Sequence, residues 1–149
     1  MITKFKLFLL VLTFQIGYSQ EDNDGIIDNI NKIEEAPIFP GCEKKKGTKI
    51  INCFQEKIQE HIQSNLKFPK EAVEKKQGGR VYAVFIIEKD GSVTIDKIRG
   101  PYKHLEEETI RIIKLLPKMT PGRDKNENVR VRFSIPITFD YWTKKNPLD

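Results

Sequence analysis

The most constraining feature of this sequence is the stretch from Val129 to Phe139, in which apolar residues occupy every second position without interruption. Alternation with a period of two is typical of a β-strand that buries one face. The stretch contains Pro136, and proline has no backbone amide to donate to a neighbouring strand, so it is mostly confined to the edges of sheets. The sequence therefore predicts an edge strand. An exposed edge is either protected or used to accept an extended peptide as one more strand.

The first residues have the composition of a secretory leader. Two lysines precede an apolar run over residues 7–14, and small residues at the minus three and minus one positions suit cleavage between Ser19 and Gln20. A membrane span needs roughly 20 apolar residues, and this run is much shorter. We therefore expect residues 1–19 to be a signal peptide that is removed on export to the periplasm. The alternative is an uncleaved leader that anchors the chain in the inner membrane.

The distribution of charge bears on whether the chain binds nucleic acid. Removing the leader takes away two lysines and no acid, which lowers the formal net charge from +5 to +3. Six acids lie within residues 20–36, so the basic excess belongs to the rest of the chain. A basic domain raises nucleic acid as a partner. Because an exported protein seldom meets nucleic acid, we expect no such partner here.

The cysteine content predicts a crosslink. Cys42 and Cys53 are the only two cysteines, and in an oxidising compartment such a pair is a candidate disulfide. The bridge would close a loop of twelve residues, which is worth about 2–3 kcal/mol in the chain-entropy model. The alternative is a zinc site that adds His61 and His104, but the spacings match no familiar set of zinc ligands. We therefore predict the disulfide and no metal.

Three stretches predict helices. Apolar residues recur every four positions over residues 50–66, which indicates a helix with one apolar stripe, and either Thr48 or Asn52 suits its N-cap. Pro69 fits the first turn of a short second helix. Residues 105–116 form the third helix, with acidic residues in the first turn and basic residues later, as the helix dipole favours.

The strands fix the fold class. Residues 81–88 are apolar on both faces, as expected of a central strand, and an Asp-Gly turn joins them to a second strand over residues 93–99. A helical crossover then places the second and third strands parallel, on opposite sides of the first. The sequence thus predicts an α+β fold with a small three-stranded mixed antiparallel sheet of order 2-1-3, and two main helices on one face. The face that the helices cover carries Val81, Phe85, Val131, Phe133 and Ile135.

The opposite face of the central strand carries Tyr82, Val84 and Ile86, and the predicted helices leave it open. Either the isoleucines of the N-terminal segment, Ile26, Ile30 and Ile33, or a second subunit covers this face. A homodimer is therefore an alternative that the sequence leaves open.

No residue pattern predicts catalysis. His61 is interpreted as a half-buried core or boundary residue of its helix, and His104 as a residue that caps or precedes the third helix. The three consecutive acids that begin at Glu106 are interpreted as partners of the helix dipole. We expect no catalytic residues, no cofactor and no enzymatic activity.

A series of short motifs runs from Phe68 to Phe139: Phe68-Pro69-x-x-Ala72, Gly79-x-Val81, Phe85, Asp90-Gly91-x-Val93, Leu105, Leu116-Pro117, Pro121-Gly122, Val129-x-Val131-x-Phe133 and Pro136 to Phe139. Their order and spacing resemble the C-terminal domain of TonB, the energy transducer of Gram-negative outer-membrane transport. The segment Ile38–Glu43 is similar to the one that precedes this domain in Bacteroidetes-type members.

The resemblance implies a non-enzymatic domain whose last strand pairs with a short peptide of a TonB-dependent outer-membrane receptor. Backbone groups alternate between the two edges of a strand. If Pro136 faces outward, Arg130, Arg132 and Ser134 face the free edge, while Val131 and Phe133 bond inward. We therefore predict that the receptor peptide docks on Arg130–Ser134, where the arginines would attract acidic residues.

The predicted organisation is a signal peptide (1–19), an acidic, proline-containing segment (20–41), a TonB C-terminal-like domain (42–143, core 68–139) and a tail (144–149). Typical members keep a membrane anchor that engages ExbB and ExbD. Because the leader is predicted to be removed, we do not expect those partners for this chain. The alternative function is a periplasmic scaffold or self-association module without energy transduction.

Overall fold

The computed structural model describes residues 25–28 and 30–140. The predicted leader, its Ser19–Gln20 cleavage site and the 144–149 tail lie outside the described residues. In chain order the elements are β1 (Ile26–Ile27), a 3-10 turn (Ile30–Lys32), α1 (Thr48–Asn65), α2 (Lys70–Glu74), β2 (Gly79–Ile87), β3 (Val93–Arg99), α3 (Lys103–Lys114), β4 (Gly122–Asp124) and β5 (Glu127–Phe139).

The sheet has the order β1-β5-β2-β3. Strand β2 lies between β3 and β5 and runs antiparallel to both, so β3 and β5 are parallel to each other. The predicted order of the three long strands is confirmed. Two short strands were not predicted: β1 pairs in parallel with β5, and β4 forms a tight antiparallel hairpin with the start of β5. Strands of two and three residues are too short to show a period in the sequence.

The core lies between the sheet and the helices. Val81, Phe85 and Val131 are fully buried on the predicted helix-facing side of the sheet. The ring of Phe133 stacks between two others, with centroids 4.7 Å from Phe54 of α1 and 5.7 Å from Phe85 of β2. This stack joins α1 to the sheet at β5, the strand where a peptide was predicted to dock.

Helix α1 forms because its apolar residues fall on one face, and it is tied to the loop before it by the predicted disulfide between Cys42 and Cys53. Both cysteines are buried, with Cα atoms 5.9 Å apart. The predicted caps are wrong: the helix begins at Thr48 after Gly47, and no side chain caps it. Gly47 has a φ of 57° and a ψ of −138°, a combination that glycine adopts without the steric cost that other residues incur.

The other end of α1 is held to α3 by hydrogen bonds. Arg111 donates to the backbone carbonyl of Asn65 and to both carboxylate oxygens of Glu108, and Glu108 also accepts the backbone N–H of Lys67. His61 Nε2 lies 3.0 Å from the carbonyl oxygen of Ile112, to which it donates. His61 is therefore a boundary residue between two helices, as predicted.

Removing the disulfide is expected to lower stability by about 2–3 kcal/mol, because the crosslink restricts the unfolded chain. Changing both Cys42 and Cys53 to alanine and following unfolding in urea measures this loss. The control is the unaltered protein under a reducing agent, which breaks the crosslink without removing the sulfur atoms. A large loss in the variant together with no loss on reduction would attribute the effect to packing and contradict the prediction.

Candidate functional site at the outer edge of the last strand

The two edges of β5 have different partners. Its inner edge pairs with β2 from Val131 to Phe139. On its outer side, β1 pairs with Arg130 and Val131. Strand β4 pairs with residues 127–129, ahead of the stretch that pairs with β2. No strand within residues 25–28 or 30–140 pairs with β5 beyond Val131 on this side. We call Phe133–Pro136 the open edge.

The register identifies the backbone groups that face outward. Pro136 lies opposite Tyr82 of β2, and because proline has no amide hydrogen this pair is not one of the hydrogen-bonded pairs of the ladder. Pairs alternate along an antiparallel ladder, so Ser134, opposite Val84, also directs its N–H and C=O away from β2. The open edge therefore offers a donor and an acceptor at Ser134 and a carbonyl at Pro136.

Only part of the predicted docking stretch Arg130–Ser134 lies at the open edge. Arg130 and Val131 already pair with β1, whereas Phe133 and Ser134 belong to the open edge. The prediction that the whole strand lies at an edge is therefore wrong at Arg130 and Val131, where β1 lies outside β5. That docking occurs along this stretch stays a prediction.

An apolar groove of about 310 Å³ lies beside the open edge, between β5 and α1. Phe133 and Ile135 line its floor, and both are only partly buried even though they face the helices. Side chains of an added strand would point alternately toward and away from this groove. The residues of α1 that line it are Ile51, Phe54, Ile58 and Ile62, and Ile30 lines it from the N-terminal segment.

The two arginines of β5 lie on the opposite face and contact acids of this chain. Arg130 donates to Glu88, the residue directly after β2, at 2.7 Å, and this hydrogen bond lowers the pKa of Glu88. Arg132 Nη1 lies 2.7 Å from Asp28 Oδ1, and its Nε lies 3.1 Å from Asp96 Oδ2. The arginines that were predicted to attract an acidic peptide thus already pair with carboxylates, and one of these belongs to the residue after β1.

The two arginines lie on the face that carries Tyr82, Val84 and Ile86, so this face is less open than predicted. Ile86 lies directly opposite Arg132 across the ladder and is only 4% exposed, whereas Tyr82 is 51% exposed. Tyr82 thus stays exposed, and Ile30 of the N-terminal segment lines the groove on the other side of the sheet. The exposed apolar area is therefore smaller than the sequence predicted.

The remaining candidate residues serve the fold. The disulfide uses both cysteines that the zinc alternative needed. His104 stacks on Tyr102, with ring centroids 5.5 Å apart, and its Nδ1 lies 3.7 Å from a carboxylate oxygen of Glu71. Among the described side chains, no group of three or more metal-ligating residues is placed to hold an ion. No helix of the described chain is both long and apolar enough to cross a membrane.

Sequence reasoning missed the groove and β1. The sequence shows the apolar stripe of α1, but it does not show that part of this stripe lines a groove beside β5. The only sequence signal for β1 is the pair Ile26-Ile27 within an acidic segment, directly followed by Asp28. A pair of apolar residues is too short to be assigned to a strand.

Among solved structures, the chain is similar to two NMR solution structures of the Helicobacter pylori TonB C-terminal domain. The first is 29% identical, covers 64% of this chain and 85% of that chain, and has a TM-score of 0.44. The second is 25% identical, covers 61% of this chain and 97% of that chain, and has a TM-score of 0.37. No curated protein matches the chain.

The family model of the Gram-negative bacterial TonB protein C-terminal domain matches residues 64–141, just over half of the chain. The match takes in α2, α3 and strands β2–β5, but almost none of α1 and none of β1. The family is a non-enzymatic protein-interaction family whose members generally interact with TonB-dependent receptors. The chain therefore belongs to the TonB C-terminal domain family.

Proposed function

We propose that this chain is an exported, periplasmic binding domain that recognises peptide segments of TonB-dependent outer-membrane transporters by strand addition. The binding place is the open edge of β5. The family supports the class of partner, because its members interact with TonB-dependent receptors. No step of this function requires chemistry on a substrate.

One observation carries the proposal: the outward N–H and C=O of Ser134 lie at the mouth of the apolar groove. A peptide strand that bonds to Ser134 would lay alternate side chains over Phe133 and Ile135. Each backbone hydrogen bond contributes about 0.5–1.5 kcal/mol, and burying one large apolar side chain about 1.5–3 kcal/mol. Backbone pairing at Ser134 would supply affinity, and side-chain contacts in the groove would select among peptide sequences.

The test is a titration of the isotopically labelled chain, without its leader, followed by NMR. The probes are synthetic peptides from the periplasm-facing segments of TonB-dependent transporters of the same organism, with scrambled peptides as controls. We expect shifts of the Ser134 amide and of the groove residues Phe54 and Ile58. Shifts confined to the face around Tyr82, or no binding at millimolar peptide, would contradict the proposal.

Export by a cleaved leader is part of the proposal. N-terminal sequencing of the native protein is expected to begin at Gln20, whereas a start at Met1 would indicate an anchored form. A cleaved domain would be free of the inner membrane. Its part in energy-coupled transport would then be to capture a transporter segment, without a mechanical link of its own.

A further inference from the structure

Strand β1 already occupies part of the edge at which a partner would dock. Ile26 and Ile27 pair in parallel with Arg130 and Val131, directly before the open edge begins. The segment that contains β1 makes three kinds of contact that an added peptide would make. It supplies backbone pairing to β5, a carboxylate to an arginine, and an apolar side chain to the groove.

The register accounts for these contacts. Asp28 follows the pair Ile27↔Val131, so it falls opposite Arg132, and its Oδ1 lies 2.7 Å from Nη1 of that arginine. Two residues further on, Ile30 lines the groove between α1 and β5. By the alternation of strand side chains, Ile27 shares the face of Val131, and Asp28 shares the face of Arg132. The segment thus presents an apolar residue toward the helices and an acid toward the arginines.

We propose that residues 25–28, which we call the internal strand, are together with Ile30 an intramolecular competitor for the docking edge. The partner peptide would carry the same chemistry: adjacent apolar residues followed by an acid, docked parallel to β5. The inference rests on the proposed function for the identity of the partner, but not for the competition itself. Binding then proceeds by exchange of one strand for another.

The internal strand is held weakly enough to exchange. Its paired part is two residues long, and both isoleucines are only partly buried. The side chain of Asp28 is 67% exposed, and an exposed ion pair is worth less than about 1 kcal/mol. A longer peptide that pairs from Arg130 to Pro136 would form more backbone hydrogen bonds than β1 does. It would also cover the open edge, which the internal strand leaves unpaired.

Competition has a measurable consequence. The apparent affinity for a partner falls in proportion to the fraction of molecules in which the site is free. A substitution that weakens the internal strand without touching β5 therefore raises the affinity. Asp28→Lys is such a change, because it places a cation against Arg132 at an exposed position. Ile27→Pro is a second, because it removes the backbone N–H that the parallel ladder directs to Arg130.

The first experiment measures the affinity of a transporter peptide for the full mature chain and for Asp28→Lys. We expect the variant to bind about three- to tenfold more tightly. The matched control is Glu34→Lys, which makes the same change of net charge in the same segment. Glu34 is exposed and makes no ion pair with any described residue. Equal affinity in wild type and Asp28→Lys would overturn the competition and leave the proposed function standing.

The second experiment uses the chain's own sequence as the probe. A synthetic peptide of residues 24–34 is titrated into the Ile27→Pro variant, whose fold is checked by thermal unfolding. We expect binding, with shifts of the Arg132 and Ser134 amides and weaker binding to wild type. Failure of this peptide to bind the folded variant would overturn the inference. If this peptide binds while no transporter peptide does, the inference holds and the proposed function fails.

Discussion

Ser134→Pro is expected to abolish peptide binding while the domain stays folded. The Ser134 amide points away from β2, so a proline at this position removes no bond of the sheet. Pro136, two residues on, already occupies an equivalent outward position in the same strand. The side chain of Ser134 is exposed, so the ring meets no packed neighbour of the described chain.

The expected loss of affinity is tenfold or more. An added strand needs the Ser134 donor, and a buried acceptor on the peptide without a partner costs about 1–3 kcal/mol. Pro136 supplies no replacement, so the open edge would keep no donor between Phe133 and Ile137 on its outer side. Calorimetric titration with a bound transporter peptide measures the change, and thermal unfolding measures the fold.

Two controls isolate the outward amide. Ser134→Ala removes the hydroxyl but keeps the backbone N–H, so its affinity is expected to stay within about twofold of wild type. Ile135→Pro makes the proline change one residue away, where the amide faces β2, and is expected to destabilise the sheet. If Ser134→Pro leaves both affinity and melting temperature unchanged, the peptide does not dock by strand addition at this edge.

The long strands and their order were predictable because each leaves a local pattern. Residues 81–88 are apolar on both faces, and β5 alternates through eleven residues, while an Asp-Gly turn and a helical crossover fix how the strands connect. The disulfide was predictable from the presence of two cysteines in a chain that is predicted to be exported. In contrast, β1 and β4 are held by their pairing with β5 rather than by any pattern of their own, so the sequence does not reveal them.

The site was predictable only in part for the same reason. Proline at position 136 and the alternation around it predict which amides face outward, and the register gives the residues of β2 that lie opposite them. The ion pairs of Arg132 with Asp28 and Asp96 join residues far apart in sequence, so they cannot be read from local spacing. The groove arises because α1 lies beside the outer edge of β5, a placement that the apolar stripe of the helix does not encode.

Gly91→Ala is expected to destabilise the domain by about 3–4 kcal/mol, from left-handed strain and a steric clash together. The φ angle of Gly91 is +84°, and a Cβ atom at this position would lie 1.8 Å from the carbonyl oxygen of Met119. Both backbone polar groups of Gly91 are also hydrogen-bonded. The N–H of Gly91 donates to the carbonyl of Glu88, and its own carbonyl accepts the N–H of Met119 at 2.9 Å.

The contact between Gly91 and Met119 links the β2–β3 turn to other segments of the chain. Met119 is 4% exposed, and the next residue, Thr120, exchanges two backbone hydrogen bonds of 3.0 Å with Ile38. The β2–β3 turn therefore holds the loop after α3, and that loop holds the segment that leads to the disulfide and α1. A side chain at Gly91 would push against this chain of backbone contacts, so the turn cannot relieve the clash without breaking hydrogen bonds.

Gly47→Ala is the matched control, because Gly47 also has a positive φ, of 57°, but nothing lies within 4 Å of the added Cβ. Its expected cost is the conformational strain alone, about 1–2 kcal/mol. Urea unfolding of both variants measures the difference, which reports the contact between Gly91 and Met119. Equal losses would mean that the turn moves away from Met119 freely. A larger loss at Gly91 would show that the Asp-Gly motif is required for close packing of two backbones, and not only for the shape of the turn.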